Sequence, residues 1–201
     1  MNGQAALLLL ADSQLLFQPL QLPQLRRHFA GRAVHAAYVG AANGHQQAFF
    51  ELACAALESQ FEQAVVCDFI REGRDVVQCR PNLVILAGGS VEAGWQFLQQ
   101  PDVQQWLTPI YQDAGALFVG VSAGAIHLAQ GCDPEHPKPV PRHFLNWYPH
   151  FVAVHEEQQG WPSREIWEQG GSQGHFVGIP LGGGLWVQAG KVERLGRMMT
   201  G

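Results

Sequence analysis

The segment Leu117-Phe118-Val119-Gly120-Val121-Ser122-Ala123-Gly124-Ala125 decides how this sequence is read. An apolar run of strand character enters a serine flanked at both second neighbours by glycine, and a helix-forming stretch follows. This is the G-x-S-x-G pattern in the strand-turn-helix context that its chemistry requires. The backbone at such a bend is sharply turned and adjacent side chains would collide, so Gly120 and Gly124 supply the room. N–H groups at the start of the next helix point toward the serine oxygen and favour negative charge forming there. Ser122 is therefore the candidate nucleophile.

Comparable apolar runs occur at residues 5–10, 33–39, 64–69, 83–86 and 116–121. Their lack of a polar face predicts strands covered on both sides. Between them, helical spacing appears at 20–29, 46–60 and 91–99, with a continuation at 103–113. Alternation of the two kinds of segment predicts an α/β fold with a doubly wound, mostly parallel sheet and helices on both faces. Pro134, Pro137, Pro139 and Pro141 mark a loop after the helix that begins near Ala123. Beyond it, Pro162 and Ser163 open a helix over 161–169, and 176–179, 185–188 and 192–195 read as short closing strands. There is no internal repeat or low-complexity tract.

With 201 residues, 47% of them hydrophobic, the chain has material for one substantial core, and a single domain over 1–201 is expected. Twelve basic residues against seventeen acidic ones give a net charge of −5, which argues against nucleic acid or an anionic membrane as partner. Cys54, Cys67, Cys79 and Cys132 form neither a CxxC pair nor a closely spaced framework, so a reducing cytoplasm is expected. The run at 5–10 has no basic flank and soon meets Asp12, which suits a buried first strand better than a leader or a membrane span.

A second glycine turn, Ala87-Gly88-Gly89-Ser90, follows the strand at 83–86. Neighbouring strands of such a sheet end side by side, so the N–H groups of Gly88 or Gly89 are expected to join that of Ala123 as an oxyanion hole.

At this point the sequence resembles a known family. The segments LVILAGGSVEAGWQFLQ (83–99), GVSAGAIHLA (120–129), YPHF (148–151), GIP (178–180) and WVQ (186–188) look like those of peptidase E and cyanophycinase, as does the opening LLLLADS. These are serine peptidases with a class I glutamine-amidotransferase-like fold, a three-layer sandwich. The resemblance implies a hydrolase that cleaves small peptides, often beside aspartyl residues, through a serine nucleophile and a histidine base, with no cofactor.

A serine hydroxyl needs a neighbouring base, and the chain offers nine histidines. By the resemblance the base is His150, within YPHF; His143, in the pair RHF, and His155 are the alternatives. Read as a metal cluster, His127, His136, His143, His150 and His155 show spacings of nine, seven, seven and five, which follow no single helical face, and HExxH is absent. No metal site is expected.

For the carboxylate that orients the base, Asp133 resembles the aspartate following the nucleophile helix in peptidase E, and Glu156 and Glu157 are alternatives. The acidic residue often found in the family's late Gly-x-Pro turn is replaced here by Leu181 and Gly182. Ser90, Arg142 and Trp147 are expected to contact substrate. Lys138 and Arg164 are further candidates for a carboxylate, and Tyr148, Phe151 and Trp161 join Trp147 as a possible pocket lining. Two rivals are a binding protein of the same fold without catalysis and an esterase of the α/β-hydrolase type.

Overall fold

Strands without a polar face must be covered on both sides, and the computed structural model places three of them at the centre of the larger sheet. It describes residues 3–61, 63–77, 80–170 and 174–196; Cys79 lies outside these. The larger sheet contains β1 (Ala6–Leu10), β2 (Val34–Val39), β3 (Val65–Ile70), β4 (Leu83–Leu86), β5 (Leu117–Val121), β10 (Gly183–Gln188) and β11 (Lys191–Gly196). Its order is β11-β10-β1-β5-β4-β2-β3. β1, β5, β4, β2 and β3 run parallel, and β10 and β11 close one edge antiparallel.

Alternate residues of these strands feed two separate cores. Leu7, Leu9, Val84, Leu86 and Phe118 pack with Phe97, Val103 and Ile126, from α3 (Val91–Leu98), α4 (Pro101–Tyr111) and α5 (Ala123–His127). Leu8, Leu10, Ile85 and Val119 face the opposite way, onto Leu25 and Leu57 from α1 (Pro23–His28) and α2 (Gln47–Gln60). The three-layer α/β arrangement is thus the one the apolar runs predicted.

Two features differ from the sequence-based expectation. The stretch after residue 99 does not continue the preceding helix, because Pro101 begins α4 as a new one: a proline lacks the N–H that an interior position must donate. The segment after α5 also builds a second sheet of four strands, β6 (Gln130–Gly131), β7 (Arg142–His143), β8 (Phe151–Val154) and β9 (Phe176–Ile179), in the order β7-β6-β8-β9. β6 and β7 are two residues each, too short for any periodicity to reveal. Among the described residues no helix is long and apolar enough to cross a membrane.

Candidate active site

Parallel strands that end together leave a crevice at their carboxyl ends. β4 and β5 are neighbours, so the glycine turn after β4 and the serine after β5 emerge beside each other. Ser122 has φ 51 and ψ −112, a conformation that side-chain-bearing residues adopt only under constraint. Its N–H donates to Leu10 O at 2.9 Å, which fixes the turn to β1.

The two flanking glycines are required by contact. A Cβ at Gly120 would lie 2.4 Å from Gly124 O, and one at Gly124 only 2.1 Å from Leu86 O. Gly89 is constrained twice, by φ +132 and by Ala42 O at 2.2 Å from any added Cβ. Gly88 sits against the serine: a Cβ there would be 3.2 Å from Ser122 Cβ. No backbone carbonyl among the described residues accepts from the N–H of Gly88, Gly89 or Ala123.

The histidine that reaches the serine is His155. Ser122 Oγ and His155 Nε2 are 2.9 Å apart, so with the ring neutral and its proton on Nδ1 the hydroxyl donates to Nε2. His155 follows directly on β8, and its N–H donates to Ile179 O at 2.9 Å. Next to it, the buried Glu156 carboxylate accepts from Ser163 Oγ at 2.5 Å and from Ser163 N–H at 3.1 Å. Those bonds tie the loop after β8 to α6 (Ser163–Gln169). Trp161 N–H adds a bond to Glu156 O at 3.2 Å.

His150 is not beside Ser122. It precedes β8, whereas His155 follows it, and five residues of extended chain separate the two by about 17 Å. The His150 ring packs on Tyr148 and His175, and its Nδ1 accepts from His175 N–H at 3.2 Å. Burial and the neighbouring His175 hold its pKa below the usual histidine value. It shares a cavity with Gln4, Ala5 and Leu7, at the amino end of β1 and so at the opposite end of the sheet from the serine. His143 lies in β7, exposed, opposite Gln130. One signal in the sequence favoured His155 over His150: a functional group belongs at the carboxyl end of a strand, and 151–154 is a short apolar run.

The other expected residues also fall elsewhere. Asp133 is buried, and its Oδ1 accepts from Glu135 N–H at 3.0 Å rather than from His155. Glu157 Oε1 accepts from Leu181 N–H at 3.1 Å. Among the described residues no carboxylate is hydrogen-bonded to His155. Ser90 caps α3, with its Oγ accepting from Ala93 N–H at 3.2 Å. Arg142 is paired with Glu92 at 2.6 Å, and that bond holds the Glu92 carboxyl below its usual range. Trp147 stacks on Tyr111 with ring centroids 4.1 Å apart and meets Phe118 edge-on, so it belongs to the sheet core. Phe151 and Trp161 pack on Phe176, and the Arg164 guanidinium lies over the same ring. The chain brings Ser122, Gly88, Gly89, Ala123 and the alternative base His155 together, while His150, Asp133, Arg142 and Trp147 make their contacts elsewhere.

His127, one turn beyond the serine, is fully enclosed and donates from Nε2 to Val91 O at 2.8 Å, which locks α5 to α3. Burial pushes its pKa down to about 4. Among the described residues no group of three or more His, Cys, Asp or Glu side chains is placed to hold a metal ion.

No family model and no curated protein matches the sequence. Solved structures do. A peptidase from an acI-B1 Actinobacterium superposes with a TM-score of 0.73 at 15% identity, covering 98% of this chain and 89% of that one. A Listeria monocytogenes EGD-e protein assigned to peptidase E gives a TM-score of 0.65 at 14% identity, covering 97% of this chain and 100% of that one. The fold is that of peptidase E. At these identities the likeness is one of architecture, and the peptidase E-like fold provides a frame within which the chemistry is argued from this chain's own residues.

Proposed function

We propose that this chain is a serine hydrolase of peptidase type that acts on small peptides. The observation that carries the reading is the 2.9 Å contact between Ser122 Oγ and His155 Nε2, made at a turn whose serine has a positive φ. Both side chains are accessible: Ser122 is half-buried and His155 exposed. As Ser122 Oγ bonds to the substrate carbonyl carbon, its proton passes to His155 Nε2. The carbonyl oxygen, now carrying negative charge, receives the N–H of Ala123 together with that of Gly88 or Gly89. Collapse of the tetrahedral intermediate breaks the C–N bond, and the imidazolium returns the proton to the departing amine. Water then attacks the resulting ester with His155 again as base, which releases the acid and restores the hydroxyl. No step requires a cofactor.

A preference for acidic residues, implied by the resemblance, gains no support from Arg142, which is engaged by Glu92, or from Arg164, which lies over the Phe176 ring. The esterase rival gains nothing from the structural likeness, which is to a peptidase and a protein assigned to peptidase E. The rival of a binding protein without catalysis draws on the absence, among the described residues, of a carboxylate bonded to His155. One experiment separates the readings. A fluorophosphonate should label Ser122 covalently in the native protein, and Ser122→Ala should lose both labelling and peptide hydrolysis. A native serine unreactive from neutral to mildly basic pH would favour the binding reading.

A further inference from the structure

A cavity of about 530 Å³ opens beside the serine turn, with Gly88 and Val121 in its wall. Tyr38 and Ile85 from the sheet and Phe49 and Leu52 from α2 also line it. No charged side chain is among the described lining residues. Phe49 and Leu52 are 46% and 51% exposed, so the cavity whose wall includes Gly88 and Val121 presents apolar surface open to water. The Tyr38 hydroxyl accepts from Asn43 Nδ2 at 2.7 Å, and burial raises its pKa above the usual tyrosine value, so the phenol stays neutral.

Neither Ser122 nor His155 lines this cavity; its wall reaches the serine through Val121, the preceding residue, and through Gly88, where an added Cβ would lie 3.2 Å from Ser122 Cβ. A departing amine must collect its proton from His155 and therefore leaves on that side of Ser122. The acyl half of the substrate has its carbonyl oxygen against the glycine turn, so its side chain points along Gly88 into the cavity. A carboxylate there would lose its water and meet no cation, at a cost that an apolar side chain does not incur. Resting on the serine-nucleophile reading, we propose that this cavity selects a large, uncharged, apolar side chain on the acyl side of the scissile bond, of the kind carried by leucine, methionine or phenylalanine.

The test uses the full chain and diphenyl aminoalkylphosphonates, which phosphonylate a nucleophilic serine while presenting one chosen side chain to the acyl pocket. Second-order rates of Ser122 modification, read by mass spectrometry, are compared for benzyl, isobutyl and carboxymethyl side chains. The benzyl and isobutyl reagents are expected to react at least about tenfold faster than the carboxymethyl one. Leu52→Arg, a change at the exposed rim, should narrow that ratio by bringing a cation to the pocket mouth. A carboxymethyl reagent that reacts as fast as the others overturns the assignment, as does failure of all three while a simple fluorophosphonate still labels Ser122. Absence of labelling by the fluorophosphonate as well would instead remove the nucleophile reading on which the assignment rests.

Discussion

Ser122 and His155 meet at 2.9 Å although the serine follows a strand of the seven-stranded sheet and the histidine a strand of the four-stranded one. The pairing depends on two sheets holding their carboxyl ends toward one crevice. The main chain at each is fixed from its own side, the Ser122 N–H donating to the Leu10 carbonyl and the His155 N–H to that of Ile179.

That relationship separates two histidines that the sequence leaves as alternatives. His155→Ala should lower kcat/KM for peptide hydrolysis by about 10²–10⁴-fold, the usual contribution of a general base. His150→Ala, at the other end of β8, should stay within about threefold of the native enzyme, far below that range. Steady-state kinetics on the two variants decide the matter, and the reverse ranking would remove His155 from the mechanism.

Gly124→Ala should be poorly tolerated. The added methyl would overlap Leu86 O, a backbone atom at the end of a central strand that has no room to retreat. A loss of about 2–3 kcal/mol is expected from overpacking at a rigid site. It should appear as a lowered midpoint in urea together with slower fluorophosphonate labelling of Ser122. An unchanged midpoint would show that the turn relaxes more freely than the contact implies.

Glu156 acts on the site through its neighbour. Removing its carboxylate in Glu156→Ala leaves Ser163 N–H and Oγ without their acceptor in a buried place, at a cost of about 1–3 kcal/mol. Because the same loop carries His155, kcat should fall with little change in KM well below the melting temperature. Glu156→Gln, which keeps one acceptor oxygen, should recover part of both losses. A stability loss with native kcat would limit Glu156 to a structural part.

His127 gives the fold a pH dependence whose sign can be worked out. Its pKa is near 6.5 in the unfolded chain and about 4 when buried, so below pH 6.5 the unfolded state binds the extra proton. The stabilisation is complete above pH 6.5 and is lost progressively as pH falls toward 4, by about 3 kcal/mol in total. His127→Gln, which retains a donor for Val91 O, should flatten urea-measured stability across that window. If the native slope persists in the variant, another group must account for it.

The sequence by itself determined the strand-and-helix alternation, because apolar runs such as 83–86 and 117–121 carry no polar face and can sit only inside a covered sheet. It also determined the serine turn, since the constraint is local: Gly120, Ser122 and Gly124 lie within five residues, and each glycine is needed by an atom of the same crevice. Which histidine meets the serine was settled by tertiary structure, although the apolar run at 151–154 put His155 at a strand's carboxyl end. His150 and His155 differ by one four-residue strand, and which end of that strand faces the serine depends on the direction in which β8 joins β6 and β9. The apolar cavity was equally out of reach, because Tyr38, Phe49, Leu52, Ile85 and Gly88 come from three separate segments, and spacing along the chain says nothing about which surfaces are brought together across it.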